Sequence, residues 1–127
     1  MTYSDVFIND SVKAFLRDIR ETIRKHLGMN SVSMIGQLNP KLRGWANYHR
    51  HVVSGKTFSR VDHCIYNSLW KWMKRRHRNK SKTWMVKKYL SGGSMAWMFS
   101  SKVKDKMGIP RLYEVIRLSH IGIVRHR

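Results

Sequence analysis

The sequence predicts a mainly α protein: a three-helix bundle carrying a small α+β appendage at its C-terminal end. Two observations carry that expectation. Apolar residues recur at helical spacing in successive stretches between positions 12 and 73, each preceded by residues that favour helix caps. Beyond Asn79 the period is lost, and short apolar or β-branched runs alternate with Gly and Pro. The chain therefore divides into a helical part, 9–79, and a small mixed α/β segment, 80–127. With 127 residues and 42% hydrophobic content, it is long enough to bury a core of its own.

Asn9, Asp10 and Ser11 are each fit to cap a first helix, on which Val12, Phe15, Leu16, Ile19, Ile23 and Leu27 share one face. Arg24, Lys25 and His26 suit its last turn, where the helix dipole favours cations, and Gly28 suits a left-handed terminus. A second helical region opens at Asn30 or Ser31 and carries Met34, Ile35 and Leu38. Pro40 should end or kink it, with Asn39 capping a new start that aligns Leu42, Trp45, Ala46, His49 and Val52. Gly44 within that helix suggests close approach by a neighbouring helix or a ligand backbone. Thr57 is the expected cap of a long third helix with Phe58, Val61, Ile65, Leu69, Trp72 and Met73 as its buried stripe. The expected core gathers Phe15, Ile19, Ile23, Leu38, Leu42, Phe58, Val61, Ile65, Leu69 and Trp72. Past that point, residues 84–90 suit a short helix, residues 91–94 a break, and residues 95–99 a strand. Further β structure is expected within 111–124.

Charge narrows the function. The formal net charge is +19, from 26 Lys and Arg against 7 Asp and Glu. No acid occurs between Glu21 and Asp62, nor between Asp62 and Asp105. Such an excess repels itself in a compact state unless it meets an anion. Spread through periodic apolar sequence, it fits a folded nucleic-acid binder better than an anionic membrane surface or an acidic protein partner. Arg60, Asn67, Lys71, Lys74 and Arg78 recur at helical intervals opposite the apolar stripe, extended by Arg75, Arg76, Lys80 and Lys82. The plain alternative is a solvated helix surface whose end is biased towards cations by its dipole.

Other chemistry finds little support. Cys64 cannot form an intramolecular disulfide, and beside His63 on a helix it points away from its neighbour. His49 and His51, two residues apart, also diverge on a helix, and zinc needs about four ligands. The seven acids are too dispersed for two-metal phosphoryl chemistry. We therefore expect no catalytic residue, metal or cofactor. The start lacks a basic leader and an apolar run, and no stretch has the length of a bilayer span, so a cytoplasmic protein is expected.

The stretch LNPKLRGWANYHRHV, residues 38–52, is followed by Thr57 and Phe58, by Leu69-Trp70-Lys71-Trp72, and by the basic block Lys74-Arg75-Arg76-His77. The segment 84–89 adds a W-x-x-K-x-Y pattern. Together they resemble the maturase-specific domain, domain X, of group II intron reverse transcriptases, over residues 15–127 and most closely between 38 and 77. The resemblance implies a thumb-like helical bundle that follows a reverse-transcriptase palm in the same polypeptide. Such a domain grips intron RNA during splicing and contacts template and primer during copying, with target DNA as a second nucleic-acid partner. No Tyr-x-Asp-Asp motif is present, so polymerase activity would belong to an upstream part, and the chain would be a non-catalytic fragment. Its end, residues 123–127, resembles a point where such proteins continue, in some cases into a zinc-bearing endonuclease domain.

On this reading Lys41, Arg43, Arg50, Lys71, Lys74, Arg75, Arg76 and Arg78 meet RNA phosphates, which position the RNA without reading its sequence. Trp45 and Tyr48 lie beside the apolar face, where burial is the better expectation and base stacking the alternative. Trp70 lies off the stripe and is expected to be the exposed aromatic. Two other classes remain: a freestanding, sequence-tolerant DNA-binding module, and a DNA-contacting segment of a homing endonuclease.

Overall fold

A computed structural model describes residues 3–49, 51, 53–92 and 98–120 of the chain. Three long helices, α1 (Tyr3–Lys25), α2 (Ser31–His49) and α3 (Gly55–Arg76), are followed by a short α4 (Lys82–Met85) that runs into a π-helical turn (Val86–Leu90). Strands β1 (Ser100–Lys104) and β2 (Pro110–Glu114) form an antiparallel hairpin pairing Ser100 with Glu114 and Lys104 with Pro110, and a 3-10 turn (Leu118–His120) follows. The protein is mainly α with a small C-terminal appendage, as expected.

The core is the expected one. All ten of the core residues named from the sequence are buried, and Met34, Ile35, Ala46 and Met73 complete the helix contacts. Met85, Tyr89, Leu90, Phe99, Val115 and Leu118 belong to the same cluster. Trp72 is the joint between the two parts. Its ring meets Tyr89 and Phe99 edge-on at 5.7 and 5.9 Å, and its indole N–H donates to the His26 carbonyl at 2.9 Å.

Several local expectations are corrected. α1 begins at Tyr3, so Asn9, Asp10 and Ser11 lie inside it and do not cap it. The Ser11 hydroxyl is engaged across the bundle, 3.0 Å from His49 Nε2 and accepting from Trp45 Nε1 at 3.4 Å. Gly28 does not take the left-handed conformation; the chain leaves α1 through tight turns closed by the His26, Leu27 and Met29 amides. Two of the carbonyls there are satisfied from α3, His26 by Trp72 and Leu27 by Arg76.

α2 runs unbroken through Pro40. Its start is capped by Asn30, whose Oδ1 accepts the Ser33 amide at 2.8 Å. Asn39 is not a second cap. Its Nδ2 donates to the Glu114 carbonyl at 2.8 Å and its Oδ1 accepts the Ile116 amide at 3.0 Å, so its amide clamps the end of β2 to α2. Leu38 and Leu42, both fully buried, hold the helix on either side of the proline. Gly44 has no neighbour in the fold that a Cβ would meet within 4 Å, so close approach by a neighbouring helix is not the reason for it.

The cap of α3 is Ser54, which accepts the Thr57 amide at 3.2 Å. Of the strand expected at 95–99, only Met98 and Phe99 are described, and neither is in a strand. Residues 95–97 lie outside the described residues, and Met98 and Phe99 are buried and precede β1. Phe99 stacks on Tyr89 at 5.1 Å with the rings nearly parallel, so Phe99 acts as a core plug. Asp105 builds the hairpin turn, accepting the Met107 and Ile109 amides at 2.9 Å and Arg111 Nε at 3.0 Å. The Ile109 amide first, and Arg111 after it, hold the Asp105 carboxyl below the usual value. Gly108, at φ 80°, supplies the left-handed residue that this turn requires. Asp62 on α3 fixes the last turn, accepting the Leu118 and Ser119 amides at 2.7 and 3.0 Å.

Candidate nucleic-acid interface

The side of α3 away from the core is a continuous exposed row of Lys56, Arg60, His63, Asn67, Lys71 and Lys74, and Arg78 extends it just past the helix end. Steps of three or four residues advance about 4.5–6 Å along the axis, so these basic and polar side chains project along one face and no acid interrupts them. α1 carries a second row, Lys13, Arg17, Arg20 and Arg24, also exposed. This row was not among the expected contacts, although its four cations recur at helical spacing in the sequence.

Neutralisation within the fold is sparse. The ion pairs among the described residues join Arg24 to Glu21, Lys41 to Asp18 at 2.9 Å, and Arg111 to Asp105 at 3.0 Å. Arg43, Lys71, Lys74, Arg75 and Arg78 are exposed and belong to none of these pairs. Lys41 and Arg76 differ from the other expected contacts. Lys41 bridges α2 to α1, donating to Asp18 and to the Thr22 hydroxyl at 2.9 Å. Arg76 donates to the Leu27 carbonyl at 3.1 Å and lies 5.3 Å from the Trp72 ring centre. Arg43 is on α2, a different element from the α3 row, and Arg50 lies outside the described residues.

The aromatic residues sort themselves by packing. Trp45 is half-buried between Phe15, stacked at 4.6 Å, and His49 at 4.5 Å. Tyr48, expected to be buried, is 76% exposed, because it falls on the outer face of α2 while Ala46 and His49 face inwards. Trp70, expected to be exposed, is half-buried against the core and has Lys82 Nζ 5.7 Å from its ring centre.

A basic and aromatic cluster closes the far end of α3. Trp84 meets the His77 ring at 4.7 Å and has Lys80 and Lys88 at 5.2 and 5.5 Å from its own. His77 Nε2 lies 2.6 Å from the Tyr89 hydroxyl. Burial, followed by the charges of Arg76, Lys88 and Lys80, holds the His77 imidazole below the ordinary histidine value, and burial pushes the Tyr89 phenol up. The W-x-x-K-x-Y pattern carries Trp84 and Tyr89, but nothing in the sequence brings His77 to them.

Among the described residues, no group of three His, Cys, Asp or Glu side chains could hold a metal ion. No helix is long and apolar enough to cross a membrane. The arrangement as a whole offers long, largely unneutralised basic rows on packed helices, suited to contact with a polyanion.

The family model of the group II intron maturase-specific domain matches residues 12–90, a span from α1 through the π-helical turn. No curated protein matches the chain.

Proposed function

This chain belongs to the group II intron maturase-specific domain family, and on that premise we propose that it binds structured intron RNA through its cationic helix rows. It acts as a non-catalytic grip within a longer reverse transcriptase. The observation that carries this reading is the α3 row, in which Arg60, Lys71, Lys74 and Arg78 are exposed and take part in no ion pair among the described residues. Arg75 and, on α1, Arg17 and Arg20 add to it.

Lysine and arginine on a rigid helix hold phosphates at fixed spacing without reading bases, which suits the shape-based recognition of A-form RNA. The core fixes α1 and α3 against each other, so phosphates meet a preformed surface and little ordering is needed on binding. Residues 9–79 supply the two rows, and Tyr89 and Phe99 brace the end of α3 through Trp72. In the parent protein the bundle serves as a thumb next to an upstream palm, holding intron RNA during splicing and template with primer during copying, in the cytoplasm.

The test is titration of the full chain with a folded intron RNA across a range of salt. Affinity is expected to fall steeply, with a slope that reflects on the order of 5–8 neutralised phosphates. A shallow dependence, or no binding at low salt, would refute the reading.

A further inference from the structure

α1 and α3 do more than carry parallel rows of cations. Between them lies an open groove of about 190 Å³ with Arg20 and Arg24 on the α1 wall and Lys71 and Arg75 on the α3 wall. Its floor is mainly apolar, formed by Ile23, Leu27 and Trp72 with Ser68 beside them. Leu27 is only partly buried, and Ile23 and Trp72 are almost fully buried. Four exposed cations around a mainly apolar slot suit an occupant that is anionic at its margins and apolar at its centre. Glu21 pairs with Arg24, so the charge on the walls is offset only in part.

An RNA duplex presents phosphates and polar groove edges, and it has nothing to place on an apolar floor. An unpaired nucleotide has both chemistries: a flat apolar base flanked by two phosphates. The volume is below the roughly 300–1,000 Å³ of pockets that enclose a drug-sized ligand, so the groove suits a single base and not a longer single strand. We propose that the groove between α1 and α3 seats one unpaired base of the bound RNA, with its flanking phosphates held by Arg20 and Arg24 on one side and by Lys71 and Arg75 on the other. The proposal rests on the RNA-binding reading above and adds to it a preference for helices interrupted by a bulge.

The experiment compares two RNA hairpins that differ by one bulged nucleotide, titrated against the full chain at the same salt. The phosphate contribution is almost the same in both, so their affinity ratio isolates the seat. Binding of the bulged hairpin is expected to be tighter on the order of tenfold, the scale of docking one base on a protein surface. Leu27→Gln, which makes the most exposed residue of the floor polar and leaves every charge, is expected to abolish that preference while the paired hairpin binds as before. Circular dichroism and the paired-hairpin affinity establish that the variant is folded. Equal binding of the two hairpins by the unaltered chain would overturn the seat and leave the RNA-binding reading standing, as would a preference retained in Leu27→Gln. Failure to bind either hairpin would overturn both.

Discussion

Replacing Lys71, Lys74 and Arg78 together by glutamine removes three charges from one row without breaking any hydrogen bond or ion pair observed among the described residues. All three side chains are exposed, so the bundle should keep its helicity and its unfolding midpoint. If each meets one phosphate, the slope of log affinity against log salt becomes shallower by about 0.7–0.9 per site, or about 2–3 for the three. Over a rise from about 50 to about 200 mM salt, the triple variant should then lose roughly 20–40-fold less affinity than the parent chain. The assay is fluorescence anisotropy with a labelled folded RNA, repeated at four or more salt concentrations. An unchanged slope in a folded variant would refute the assignment of this face. Lys41 and Arg76 are unsuitable for the same test, because their loss would also break contacts that hold α1 against α2 and α3.

Three further outcomes are expected. Asn39→Leu loses both hydrogen bonds to the 114–116 backbone and should destabilise the fold by about 1–3 kcal/mol in urea unfolding, with the C-terminal segment becoming the first site of proteolysis. Pro40→Ala restores a helix donor at an exposed position and should raise stability by about 1–3 kcal/mol; an unchanged midpoint would mean that α2 has adapted fully to the proline. Since the His77 pKa is lowered in the fold, the unfolded chain takes up that proton first as pH falls. Stability is therefore complete above the ordinary histidine value of about 6.5 and declines below it, until the folded value is reached. His77→Gln should flatten that part of the stability–pH curve, and an unaltered decline would point to other groups.

What could be read from the sequence, and what could not, follows from the range of the forces involved. The buried stripe of α3 and the charged row opposite it are both consequences of a 3.6-residue period, so Phe58, Val61, Ile65, Leu69 and Trp72 were identifiable without a structure. Local rules failed where distant residues intervene. Asn39 has the chemistry of a cap, yet two backbone groups some 75 residues away use its amide instead. Ser11 is another cap by composition whose hydroxyl is engaged across the bundle by His49. Pro40 should break a helix, but the buried leucines on both sides override its propensity. For the interface, periodicity marked the α3 row but could not reveal that Lys41 and Arg76 have contacts within the fold. Tyr48 and Trp70 depart from their expected exposures because Tyr48 falls on the outer face of α2, while Trp70, off the stripe of α3, still packs half-buried against the core. The groove between α1 and α3 depends on how two helices cross, and no linear pattern records that.

The central claim is that the cationic face of α3 is where RNA is held. It is tested most directly by mapping amide chemical shifts of the isotopically labelled chain during titration with a folded intron RNA. The expected perturbations follow Arg60, Asn67, Lys71, Lys74 and Arg78 along α3, with a second set at Arg20 and Arg24 on α1, and they fade as salt is raised. Shifts confined to the hairpin turn around Met107 and Ile109, or to the outer face of α2 around Gly44 and Tyr48, would contradict it.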